Sequence, residues 1–196
     1  MPTIPARALA RAVRYAPERL AHPLRYRRAL ETLGRMRFPR ELLFVCHGNI
    51  CRSPYAAAVF ARALPDDVAT SVRIASAGFA SAERSAPAEA VRVAGRRGID
   101  LSEHRSRLLA SPDTPRGGLV IVMNQLQRDG VCRLLGRDPE DVLVLGDLDP
   151  DPIDTREIRD PWGAEETVFD ASYDRIDRCI AVLVRALLAR IPRAGA

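Results

Sequence analysis

Lysine is missing altogether: all 30 basic residues of the 196 are arginine. With so much alanine beside it, this pattern reads as coding bias, so a pI near 9.5 carries no argument for nucleic acid as a partner. Cysteine is scarce, four residues without a paired framework, which points to a reducing compartment rather than a disulfide-stapled secreted fold. Cys132 and Cys179 read as core residues. With His22, His47 and His104 scattered along the chain, the cysteines show no spacing for a structural zinc. No segment is long and apolar enough to span a bilayer. Residues 1–40 contain neither serine nor an unbroken apolar run of seven, which excludes a secretory signal and a Ser-rich transit peptide. The expectation that remains is a cytoplasmic protein.

Charge divides the chain. Residues 1–40 hold ten arginines against Glu18 and Glu31, a net of +8, and since the whole chain is +5 the remainder carries −3. This predicts a basic helical extension over 1–40 and one main domain over 41–196. In the extension Leu9, Val13, Leu20, Leu24, Leu30 and Leu33 recur loosely at helical spacing, with Pro17 and Pro23 as breaks. The reading preferred here is a pair of short helices packed on the domain with their arginines in water. An Arg-rich face resting on an anionic membrane or an acidic partner is the alternative.

The main domain is organised around residues 42–54, LLFVCHGNICRSP. An apolar run ends abruptly at Cys46, Gly48 and Asn49, and beyond Pro54 lies the Ala-rich run AAAVFARAL. The pattern is strand, loop, helix, with Ser53 expected at the N-cap and Pro54 at the first helical position. Such a loop aims backbone N–H groups and a helix dipole at one point, where a phosphate-like oxyanion binds. Arg52 follows Cys46 by six residues, and its planar fork matches two oxygens of a tetrahedral anion. The same donors stabilise a thiolate at Cys46 and make it a strong nucleophile, with Ser53 a further donor to the sulfur. A buried cysteine closing a strand is the plainer alternative, but it leaves the order Gly, Asn, Arg, Ser unexplained.

At these residues the chain resembles a known family. CHGNICRSP is similar, over nine consecutive positions, to the phosphate-loop signature of the low-molecular-weight protein tyrosine phosphatases. The resemblance implies an α/β fold, a three-layer open sandwich around a central, mainly parallel four-stranded sheet. It implies Cys46 as nucleophile, Arg52 as phosphate clamp, and phosphate held by the backbone of His47, Gly48, Asn49, Ile50, Cys51, Arg52 and Ser53. Ser76 and His104 match positions that brace the loop through Asn49 and Ser53. Asp160-Pro161-Trp162 resembles the family's general-acid loop, with Trp162 lining the substrate pocket where Tyr or Phe is usual. Cys51 matches a cysteine that in some relatives captures an oxidised nucleophile.

The mechanism implied needs no metal or cofactor. The implied partner is a phosphotyrosine protein, by analogy a bacterial tyrosine kinase of surface-polysaccharide assembly. Two other readings stand beside it: an arsenate reductase on the same fold, for which the corresponding region offers only Cys132, and a non-catalytic phosphate-binding module. Because the resemblance begins at the first strand, the first 38 residues are expected to be dispensable for turnover of a small aryl phosphate.

Downstream, strands are expected at 71–77, 118–123 and 142–145, and helices at 86–97 and 124–135, with a long C-terminal helix carrying Phe169, Tyr173, Ile176, Ile180, Leu187 and Ile191 at helical spacing. Gly98 is a stop signal and Ser102 a candidate cap. Alternation of apolar strands with helices implies a parallel sheet covered on both faces, with ligands at the carboxyl ends of its strands. Asp149, Asp151 and Asp154 read as ordinary turn acids. Asn124 stands where several relatives have Asp.

Overall fold

The first strand, β1 (Glu41–Cys46), is buried at every residue after its first. Side chains alternate across a strand, and here both sides are apolar: Leu42, Phe44 and Cys46 enter one core, Leu43 and Val45 the other. A strand of this kind needs cover on both faces, which crossover helices and parallel pairing supply. In the computed structural model, β2 (Arg73–Gly78), β3 (Leu119–Val122) and β4 (Val142–Val144) complete a sheet in the order β2-β1-β3-β4, with every pairing parallel. Residues 6–115 and 117–191 are described, with side chains from residue 14 onward.

Seen in chain order the helices are α1 (Ala6–Arg35), α2 (Arg52–Ala63), the single turn α3 (Asp66–Ala69), α4 (Ala88–Arg96), α5 (Gln125–Leu135) and α6 (Glu166–Leu188). α2 and α6 fill the larger core through Tyr55, Phe60, Phe169, Tyr173 and Ile176, while Val131 of α5 and Leu109 close the smaller one. The three layers and the parallel four-stranded sheet match the fold that the resemblance implies. Ile191 lies just past the end of α6 and still packs on the core.

The extension departs from expectation. One helix of 30 residues replaces the two short ones, and it runs through Pro17 and Pro23. Each proline removes a helical hydrogen bond, but a helix draws most of its stability from the face it packs. Here His22, Ala29 and Leu33 are buried, against α6 and the turn that follows β4. Leu20 and Leu24 are 81% and 49% exposed, so the docking face is not the leucine series, apart from Leu33 and half-buried Leu30. The side chains of Leu9 and Val13 lie outside the described residues.

Ser102 caps no helix. Residues 101–109 run as turns and isolated bridges that join Gly78 to Leu108 and Ser85 to Arg105. The side chain of Asp100 accepts the Ser102 N–H at 2.8 Å, so the local turn is the aspartate's.

Candidate active site

β1 delivers Cys46 to the carboxyl edge of the sheet, and the chain turns back into α2 within six residues. The turn is held by one side chain. Asn49 adopts φ 51°, a left-handed conformation that Asn tolerates better than most residues. Its Nδ2 donates to Ser53 Oγ and Ser76 Oγ, both at 2.9 Å, and its Oδ1 accepts the Arg107 N–H at 2.8 Å. His104 Nε2 donates to the Asn49 carbonyl at 2.7 Å, which fixes the tautomer, because a carbonyl oxygen only accepts. Burial holds the His104 imidazole below its ordinary pKa, outweighing that hydrogen bond. Ser76, His104, Asn49 and Ser53 are thus brought together as one network, and Arg107 joins it through its backbone, a contact that sequence does not signal.

The end of β2 completes the cradle. Phe79 and Ala80 donate their N–H groups to the His47 carbonyl at 2.8 and 3.2 Å. Gly78 permits this approach, since a Cβ there would come within 2.7 Å of that oxygen and 2.8 Å of the Asn49 nitrogen. The side chain of His47 is exposed, and it is the backbone carbonyl that these N–H groups engage.

Cys46 Sγ accepts the Asn49 N–H at 3.2 Å and the Ser53 hydroxyl at 3.1 Å, two donors that complement a thiolate. This use of Ser53 corrects the expected helix start. α2 begins at Arg52 with Cys51 at the N-cap and no side-chain cap, which leaves Ser53 and Pro54 inside the first turn. The serine hydroxyl goes to the sulfur, and the proline costs no helical bond so early in the helix. First-turn N–H groups without a side-chain cap are the donors an oxyanion uses.

Arg52 is buried, donates through Nη1 to the Ile158 carbonyl at 2.9 Å and pairs through Nη2 with Asp160. Its Nε is buried without a partner among the described residues, a donor suited to a ligand oxygen. Asp160 is half exposed and accepts the Trp162 N–H at 3.2 Å, which fixes the Asp-Pro-Trp turn. Cys46, Arg52, Asp160 and Trp162 line one cavity of about 130 Å³, together with Ile50, Cys51, Ala80 and Arg84. Ala80 and Arg84 come from the loop after β2 and carry no motif. Burial pushes the Cys51 thiol far above its ordinary range, with the Cys46 and Asp160 charges adding to it.

Of the neighbouring acids, Asp149 does more than the turn contact expected of it, in which its Oδ1 accepts the Asp151 N–H at 3.3 Å. Asp149 is fully buried between Arg175 and Arg178 of α6, with contacts of 2.9 to 3.1 Å. Asp147 is buried against Arg156. Asn124 caps α5, accepting the Gln127 N–H at 2.9 Å, and donates to Glu157 Oε1 at 2.9 Å, tying that helix to the acid-bearing loop.

Residues 41–193 match the family model described as low molecular weight phosphotyrosine protein phosphatase. The chain belongs to this family. Among its relatives is the probable low molecular weight protein-tyrosine-phosphatase EpsP of Ralstonia nicotianae, 32% identical over 151 residues, which cover 76% of this chain and 97% of that protein. The crystal structure of the tyrosine phosphatase AmsI of Erwinia amylovora superposes with a TM-score of 0.65 at 30% identity, covering 76% of this chain and 93% of that one. The YwlE arginine phosphatase of Geobacillus stearothermophilus is similar to the chain in the same way, with a TM-score of 0.63 at 29% identity over 77% of this chain and 94% of its own. The family segment begins where β1 begins, so α1 lies outside it.

Proposed function

We propose that this phosphatase cleaves phosphotyrosine in protein substrates through a cysteinyl-phosphate intermediate. The observation that carries the reading is the meeting of Cys46, Arg52 and Asp160 in one small cavity over the uncapped start of α2. The substrate phosphate takes the Arg52 fork and the loop N–H groups, and releases the Asp160 carboxyl from its ion pair. Cys46 Sγ attacks phosphorus in line while the phosphorus–oxygen bond to the ring breaks and Asp160 gives its proton to the departing phenolate. Asp160 then accepts a proton from the water that attacks the thiophosphate. Cys46 leaves as a thiolate hydrogen-bonded by Ser53. Phosphate is released without a metal.

A phosphorylated guanidinium is the rival substrate, given the likeness to an arginine phosphatase. Ile50, Ala80 and the Trp162 ring form an apolar wall with Arg84 beside it. A neutral phenol ring stacks on such a wall, whereas a guanidinium leaving group meets the charge of Arg84. Arsenate reduction is disfavoured because Cys132 stands half-buried and Cys179 lies in the core, on another helix.

The test is turnover by the purified chain of phosphotyrosine peptides, phosphoarginine peptides and arsenate, without added metal. Preference for phosphotyrosine is expected, and preference for either other substrate would overturn the assignment. In the cell the substrate is read as a tyrosine kinase of surface-polysaccharide assembly in the cytoplasm. Among the described residues no helix is long and apolar enough to cross a membrane.

The loop also supports redox control. Peroxide converts Cys46 to a sulfenic acid, and the Cys51 thiol displaces water to close a disulfide. The raised Cys51 thiol makes this closure slower than with an ordinary thiol. Mass spectrometry of oxidised protein without a Cys46–Cys51 link would exclude it.

A further inference from the structure

α1 lies outside the family segment, yet its polar contacts fall on the stretch that leads to Asp160. Along one face Glu18, His22, Arg25, Ala29 and Leu33 recur at helical spacing, and the last two enter the core. His22 and Arg25 of that face, with Arg19 on its flank, reach residues 147–154 at three points. Arg25 Nε stands 3.4 Å from Asp147 Oδ1, buried His22 donates Nε2–H to the Asp149 carbonyl at 2.9 Å, and Arg19 Nε donates to Asp154 at 2.7 Å.

Behind these points α6 takes over the grip. Arg175 holds the Asp149 carboxylate and donates onward to the Thr155 and Glu157 carbonyls at 2.8 and 2.6 Å. The next carbonyl, that of Ile158, is the one Arg52 takes, two residues before Asp160. Contacts therefore run without a gap from α1 to the catalytic arginine. Residues 149–165 contain no helix or strand, so these side chains stand in for the ladder that would otherwise fix their conformation.

We propose that Arg19, His22 and Arg25 are positioning residues for the general acid, and that α1 is a strap that sets the loop so that Asp160 meets the leaving oxygen. The proposal rests on Asp160 being the acid. A helix that only shields the core would change stability alone. A strap changes the chemical step wherever the proton is needed, because a misplacement of about 1 Å can cost up to about 100-fold in rate.

The experiment compares full-length Arg19→Ala, His22→Ala, His22→Gln and Asp160→Ala, measuring kcat on a phosphotyrosine peptide and on an activated aryl phosphate, with Tm alongside. His22→Ala is expected to slow the peptide about tenfold and the activated ester less than about twofold. His22→Gln keeps an amide N–H for the Asp149 carbonyl and should recover most of the loss. Arg19→Ala, at a half-exposed site outside the core, should shift the ratio of the two rates the same way by a smaller factor. If Asp160→Ala changes that ratio while neither Arg19→Ala nor His22→Ala does, whatever happens to Tm, the strap is refuted and the acid assignment stands. If Asp160→Ala leaves the ratio unchanged as well, both fall. Should His22→Ala fail to fold, Arg19→Ala and Asp154→Asn decide the matter alone.

Discussion

Between Cys46 and Ser53 the chain is held by neutral hydrogen bonds centred on Asn49, which reaches Ser53 and Cys46 Sγ within the loop and Ser76, His104 and Arg107 beside it. Between Leu148 and Trp162 it is held from outside, by arginines that approach from α1, α2 and α6 across up to 135 residues of sequence. The first loop is preorganised, its donors in place before any phosphate arrives. On the proposed mechanism the second must let Asp160 exchange Arg52 for a leaving oxygen, and ion pairs at a half-exposed carboxylate part more readily than a buried amide network does. That mechanism divides binding and proton transfer between a fixed part and an adjustable one.

Removing the nucleophile tests the fixed part most severely. Cys46→Ser should lower turnover by more than about 10⁴-fold, the scale seen when a covalent nucleophile is lost, and yet retain vanadate or tungstate binding by calorimetry. Arg52→Lys should lose both, because a point charge cannot replace the fork. Residual turnover close to wild type in Cys46→Ser would defeat the division outright.

Asp160→Ala tests the adjustable part. Phosphotyrosine cleavage should fall about 10²-fold to 10⁴-fold while an activated aryl ester is much less affected. Equal slowing of good and poor leaving groups in steady-state kinetics would mean that another group supplies the proton.

The two loops should also fail differently under denaturant. Asp149→Asn leaves Arg175 without its buried countercharge, while Arg178 keeps Asp151, and should destabilise the fold by about 3–5 kcal/mol, with the activated ester still turned over in the folded fraction. Asn49→Ala strands the Arg107 N–H and the two serine hydroxyls and should cost less, about 2–3 kcal/mol. It should slow both substrates alike. Matching profiles for the two variants would erase the contrast.

The smallest effect concerns pH. The folded state holds His104 below its ordinary value of about 6.5, so below that pH the unfolded chain takes up the proton more readily. The contribution is complete above the unfolded value and is lost as pH falls through it toward the folded one. Tm of the wild type should therefore drop between neutrality and mild acid, and His104→Gln should flatten the drop. An unchanged slope would place the sensitivity elsewhere.

Much of the sheet and the whole phosphate loop can be read from the chain because both are local: apolar runs mark β1 and β3, and nine contiguous residues mark the loop. What cannot be read is long-range and polar. α1 docks through His22 and Arg25 as well as through Leu33, so a search for leucines finds the wrong face. Nothing in an Asp-rich stretch says that Asp149 belongs to Arg175 and Arg178 rather than to solvent. The misplaced start of α2 has the same origin, since Ser53 has two uses, cap or sulfur donor, and only the fold decides between them.

Trp162 is the sole tryptophan of the chain, 63% exposed at the mouth of the cavity. Its indole emission is therefore an optical channel for one place in the molecule, without background from any other. In the resting protein that emission should be red, as befits a ring in water. An aryl ligand stacking on it should shift or quench it on the timescale of binding. Stopped-flow light could then watch the mouth close over Cys46→Ser, where chemistry is silent, and separate arrival of substrate from every later step.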